Sequence, residues 1–168
     1  MFTEPKIEDR AEQHYAGIRT QVTMDELGSG IIPQLHSEVM AWLNQHGVPP
    51  VGAPILRYHV IDMAGKLDIE VGWPITAPLP ENGRVNAGVL PAGRYASLIY
   101  TGVANGIAGN AALIRWAEEQ GIVWDRWDTP EGDAFRARVE TEHTDPADEP
   151  DMSKWETEVA IKLAEVQE

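Results

Sequence analysis

Apolar residues recur along this chain in two rhythms, and both rhythms occur twice in the same order. Residues 15–22 and 94–101 alternate apolar and polar side chains, as a strand with one buried face does. After the first run, Ile31, Leu35, Val39 and Leu43 recur at helical spacing, with Trp42 widening the stripe. This predicts an amphipathic helix stopped at Gly47, where glycine takes a left-handed cap at little cost. After the second run, Leu113, Trp116 and Ala117 mark a helix and Gly121 its end. Two further strands close each half. The first pair is 55–62 and 67–75, turning at Ala64-Gly65-Lys66; the second is 134–143 and 155–163, separated by an acidic loop at 144–153. Residues 7–10 and 87–90 are expected as short leading strands, and 76–84, with Pro78, Pro80 and Gly83, as the linker between halves.

Individual residues align across the two halves. His14-Tyr15-Ala16 resembles Arg94-Tyr95-Ala96, and Ala41-Trp42-Leu43 resembles Arg115-Trp116-Ala117. Leu56-Arg57 resembles Phe135-Arg136, and Glu70-Val71 resembles Glu158-Val159. The predicted fold is therefore α+β. Tandem duplicated strand-helix-strand-strand units form antiparallel sheets, with helices on one face and a ligand cleft between the units. One domain, residues 1–168, is expected, with repeat units at about 5–75 and 85–164.

Charge narrows the partners. The 168 residues carry a formal net charge of −14, which opposes direct binding to nucleic acid and to anionic membrane surfaces. With no cysteine, disulfides, thiolate metal sites and thiol nucleophiles are excluded. The start has no apolar signal core, so a cytoplasmic protein is expected. The histidines (His14, His36, His46, His59 and His143) have no helical ligand spacing, and no metal or cofactor is expected. The glycines from Gly102 to Gly109 precede a helix but lack the lysine and hydroxyl of a phosphate loop.

Strand parity then proposes a site. If the units pair side by side with their helices on one face, the opposite faces meet in a concave surface. That surface is expected to hold Glu70 and Glu158 at equivalent places, with Glu140 and Glu142 nearby. Phe135, Ala137 and Val139 are expected to form the apolar face of their strand, with Arg136, Arg138, Glu140 and Glu142 on the polar face. Aromatic walls are expected from Tyr58, Trp73, Tyr95, Trp124, Trp127 and Trp155. Carboxylates among aromatics suit flat cationic or amphipathic ligands, through charge attraction and cation–π contact.

Particular motifs carry a family resemblance. Leu90-Pro91-Ala92-Gly93-Arg94-Tyr95-Ala96 before a strand, Glu70-Val71-Gly72-Trp73-Pro74-Ile75, and Asp145-Pro146 followed by Trp155-Glu156-Thr157-Glu158-Val159 resemble the GyrI-like small-molecule-binding domain. That domain also serves as the effector-binding module of multidrug-sensing transcription activators. The resemblance spans about Pro5 to Leu163 and implies two fused units with a ligand pocket between them. It implies pocket glutamates from the late strands, Glu158 matching best, then Glu140 or Glu142. The chain departs from the family at Val103-Ala104, where Pro and Tyr are frequent, at His143, where Tyr is common, and at Ala160 and Lys162.

Three functional readings follow. The first is a stand-alone binding protein for a drug-like, cationic or amphipathic aromatic molecule, held by Glu158, Glu142, Glu140, Glu70, Tyr58, Trp73, Tyr95 and Trp127. The second is a hydrolase of electrophilic, cyclopropane-type natural products, as some stand-alone relatives are, with Glu158, Glu142 and Tyr95 as candidate catalytic groups. The third is an acidic protein-interaction module, such as a gyrase-modulating protein, in which a protein partner replaces the small molecule.

Overall fold

A computed structural model describes residues 1–79 and 83–165; Pro80 of the predicted linker lies outside them. In chain order the elements are β1 (Lys6–Arg10), β2 (Gln13–Val22), a short helix α1 (Met24–Leu27), α2 (Ile31–Gln45), β3 (Ile55–Ile61) and β4 (Leu67–Pro74). They continue with β5 (Asn86–Leu90), β6 (Gly93–Thr101), α3 (Gly106–Glu119), β7 (Arg126–Thr129), β8 (Gly132–Phe135), β9 (Arg138–Glu142) and β10 (Glu156–Lys162). The strands form one antiparallel sheet in the order β1-β6-β10-β9-β3-β4-β2-β5, with β8 also pairing β3 and β7 completing a hairpin with β8.

The two halves repeat each other by register. Tyr15 pairs with Pro74 as Tyr95 pairs with Lys162, and Arg57 pairs with Glu70 as Thr141 pairs with Glu158. The halves join through β3 and β9, where Leu56 lies opposite Glu140. The leading strands are exchanged: β1 pairs with β6 of the second half, and β5 with β2 of the first.

That exchange rolls the sheet. Only Ala11 and Glu12 link β1 to β2, so Arg10 and Gln13 are at most about 11 Å apart. In a flat sheet the order above would separate these strands by six spacings, about 29 Å. The sheet therefore curls into a half-barrel. Its inner face collects Tyr15, Ile55, Tyr95, Ala137, Val139 and Ala160, with Leu90 packed against them.

The helices lie on the outer face. α2 seals Ile18, Leu56, Ile69 and Val71 beneath Leu35, Val39 and Leu43. α3 does the same over Leu98, Val159 and Ile161 with Leu113. Each fully buried aliphatic side chain contributes about 1.5–3 kcal/mol. Both helices stop as the sequence predicts. Gly47 and Gly121 have φ of 68° and 70°, and the next amides, Val48 and Ile122, donate back to Leu43 and Ala117 at 2.9 Å.

Two expectations need correction. The strand expected at 134–143 is broken: Phe135 ends β8, and β9 starts at Arg138. The hairpin β7–β8 displaces the alignment, so the partner of Leu56 in the repeat is Glu140 rather than Phe135. The faces of β9 are also reversed. Val139 and Ala137 face the inside of the roll, while Arg138, Glu140 and Glu142 share the outer, helix-bearing face. The apolar side of this strand has its own core to enter, so it does not turn toward the helices.

Candidate functional site

The helices leave only a seam of the outer face, around β9, open between them: α3 reaches Val159 on β10 and α2 reaches Leu56 on β3. α2 packs chiefly on β4 and β2, and α3 chiefly on β6. Between β6 and β4 lie β10, β9 and β3, a separation of about 19 Å against a helix diameter of about 10 Å. The sheet registers fix what stands on this strip. One rung runs Tyr100–Thr157–Glu142, the next Leu98–Val159–Glu140–Leu56.

Asn110 of α3 reaches this strip. Its Nδ2 donates to Oε1 of Glu140 at 3.0 Å, and its Oδ1 accepts from Arg138 at 2.8 Å. The Tyr58 hydroxyl donates to the other oxygen of Glu140 at 3.3 Å. Ile107, Asn110 and Ile114 lie on one flank of the helix, so this flank faces the strip, with Ile107 69% exposed. On the other side, Trp73 donates its indole N–H to the His36 carbonyl at 3.0 Å, and His36 is bonded to the Ile55 carbonyl at 2.9 Å.

Burial dominates the electrostatics of the strip. It pushes the Glu140 carboxyl up, against the Asn110 hydrogen bond and the Arg138 charge. It pushes Glu142 up as well, and raises the Tyr58 and Tyr100 hydroxyls, helped by the charge of Glu140. Among the described residues, neither Glu140 nor Glu142 is in an ion pair, although both are half-buried. A half-buried carboxylate without a direct ion pair, with Arg138 near Glu140 but joined to it only through Asn110, gains from a cation brought beside it.

The other two predicted glutamates lie on the inner face and are already matched. Glu70 accepts from the Tyr15 hydroxyl and is bonded to His59 at 2.8 Å, while Arg57 donates to Tyr15 at 3.0 Å. Burial alone would raise Glu70, but the hydrogen bonds from His59 and Tyr15 outweigh it and hold the carboxyl below its usual range. The β-bulge between Tyr58 and Val60 aims His59 at this carboxylate. Glu158 is paired to Arg10 at 2.9 Å, and that guanidinium lies 5.4 Å over the Tyr95 ring. The Tyr95 hydroxyl, pushed up to about 12 by burial, donates to the Pro91 carbonyl.

The expected common floor of four glutamates thus divides into two. Glu140, Glu142 and Tyr58 gather on the outer strip, and Trp73 borders it. Glu70, Glu158 and Tyr95 share the inner face. Trp127 stands apart on β7, 42% exposed, beneath the guanidinium of Arg136. Trp124 bridges to Leu163 and Trp155 donates to the Glu149 carbonyl, so neither joins the strip. The sequence reading missed Asn110 and Tyr100, and named Arg138 only as part of the polar face of its strand. Asn110 carried a signal: it is the polar residue of an otherwise apolar flank, Ile107, Asn110 and Ile114.

Similar structures share this fold. The C-terminal domain of EcmrR is 16% identical with a TM-score of 0.70, covering 97% of this chain and 98% of that one. A hydrolase from Listeria innocua is 13% identical with a TM-score of 0.62, covering 96% and 92%. SAV2435, solved with tetraphenylphosphonium bound, is 12% identical with a TM-score of 0.56, covering 96% and 94%. No curated protein matches the sequence. The model of the GyrI-like small molecule binding domain matches residues 3–163, and the chain belongs to that family.

Proposed function

We propose that this protein binds an organic cation with an aromatic or alicyclic body on the strip between α2 and α3, with Glu142 and Glu140 opposing its charge. The observation that carries this reading is the pair of half-buried carboxylates without ion-pair partners, both pushed up by burial. A bound cation offsets the negative charge that burial disfavours on each carboxyl. Glu70 and Glu158 are weaker candidates, because His59 and Arg10 already serve them. Tyr58, Trp73 and Ile107 supply aromatic and apolar surface to the body of the ligand. The binding of tetraphenylphosphonium by SAV2435, a protein of the same fold, makes that cation a suitable probe.

Calorimetric titration with tetraphenylphosphonium tests the reading. Saturable binding is expected, weakened about tenfold or more, roughly 1.4 kcal/mol, by Glu142→Gln. Glu158→Gln should leave it nearly unchanged. Loss with Glu158→Gln and none with Glu142→Gln or Glu140→Gln would move the site to the inner face.

One observation favours a second reading. A carboxyl whose hold on its proton is strengthened by burial, hydrogen-bonded by Tyr58, is suited to general acid catalysis on an electrophilic substrate. Incubation with strained electrophiles, followed by mass spectrometry, tests it: a water-addition product abolished by Glu140→Gln is the expected sign of turnover.

A further inference from the structure

We infer that the inner face of the roll carries a second, separate ligand site that takes an uncharged, largely apolar small molecule. A cleft of about 430 Å³ opens there, between the β1–β2 link and the loop before β3. Its lining includes Val51, Ala53, Ile55, Pro74, Leu90 and Val139, with Tyr95 and Thr141. That volume lies within the ordinary range for small-molecule sites, about 300–1,000 Å³.

The internal repeat explains why the space exists. By sheet register, Thr141 and Pro74 are the repeat counterparts of Arg57 and Lys162, which stand together at the equivalent mouth. There the long side chains fill the equivalent mouth. Arg57 runs to the carbonyls of Val89 and Arg136, both at 2.8 Å. Lys162, 3% exposed, runs to Asp125 at 3.0 Å. The segment from Asp125 to Ala137 closes over them: the Asp125 amide donates to the Lys162 carbonyl at 3.0 Å, the Lys162 amide to the Ala137 carbonyl at 2.9 Å, and the Arg136 amide to the Asp125 carbonyl at 2.9 Å. In the open mouth a hydroxyl and a proline ring replace those stems. What the stems filled on one side with methylene groups is left on the other side for a ligand.

The charges around the cleft define the occupant. Arg10 is held by Glu8 at 2.7 Å and Glu158 at 2.9 Å, so an anion gains little from it. The nearby Glu158 carboxylate is likewise engaged by Arg10, and Glu12, the carboxylate of the lining itself, is exposed to solvent, so a cation gains little from either. Gln13 donates to the carbonyls of His14 and Ile75, and Tyr95 to that of Pro91. The Thr141 hydroxyl has no hydrogen-bond partner among the described residues and faces the cleft. The fitting ligand is a neutral aromatic or alicyclic molecule with one hydrogen-bonding group for Thr141. This site does not depend on the cation reading of the outer strip.

Equilibrium dialysis with 2-naphthol, uncharged at pH 7, tests the inference. Saturable binding is expected in the full chain. Ala53→Trp, which fills the mouth from the loop, should weaken it about tenfold or more. Thr141→Arg, which restores the stem found in the other half, should do the same beside Glu158. Thermal melts report whether each variant folds, and the loop variant keeps the test open if the strand variant does not. Tetraphenylphosphonium should neither compete with 2-naphthol nor be affected by Ala53→Trp. Absence of saturable binding, binding untouched by both variants, or full competition by tetraphenylphosphonium would each overturn the second site.

Discussion

The Asn110 amide donates to Glu140 at 3.0 Å and accepts from Arg138 at 2.8 Å, so one side chain of α3 ties the helix to the central seam of the sheet. It supports a carboxyl in a place where burial opposes its charge. Asn110→Ala should therefore lower stability by about 1–3 kcal/mol, the cost of leaving half-buried polar groups unpaired. Urea denaturation measures it; a change below about 0.5 kcal/mol would show that the tie is dispensable.

Glu140 also sets a pH dependence. Its folded carboxyl holds a proton more tightly than the unfolded one, so folding takes up a proton as pH rises past the ordinary carboxyl range. Its contribution is fully present below that range and is lost as pH rises through the folded value. Glu140→Gln should flatten this loss, gaining stability relative to the native chain at pH 8 compared with pH 4. Melts across that range show the sign, and a variant with the opposite slope would contradict the burial argument.

Glu70 predicts the reverse. Its folded carboxyl is held low by His59 and Tyr15, despite burial. Its stabilisation is present above the ordinary carboxyl range and lost as pH falls through the folded value. Glu70→Gln should cost about 1.5–3 kcal/mol at pH 7, as charged hydrogen bonds do, and progressively less in acid. A cost that stays constant with pH would show that the charge is not what matters.

Gly109 lets α3 settle onto Tyr100. An added Cβ would lie 2.8 Å from the ring. Gly109→Ala should thus destabilise the protein by about 1–3 kcal/mol although alanine favours helix, because the helix must lift. The same change should cost less with Tyr100→Leu in place, since the two sites share the contact. Additive costs would mean that the ring is not the obstacle.

Much of the fold was legible because it is periodic. The two helices with their glycine stops, the paired strands and the duplication all follow from local spacing around Leu35, Val39, Leu113 and the strand alternations. The roll was not, because it depends on β1 and β5 crossing to the opposite halves, a non-local exchange. Without the roll, the apolar side of β9 had only the helices to pack against, and Glu140 and Glu142 were assigned to the wrong face. The glutamates as residue types stood out, but which of them lack a cation did not. That depends on Arg10 reaching Glu158 and on a bulge turning His59 toward Glu70.

The most direct test of the central claim is a crystal structure of the protein with tetraphenylphosphonium. The account predicts the cation over β9 and β3, between α2 and α3, its centre facing Glu142 and Glu140 and its rings against Tyr58 and Trp73. A cation seated inside the roll beside Glu158 and Tyr95, with the outer strip empty, would contradict it.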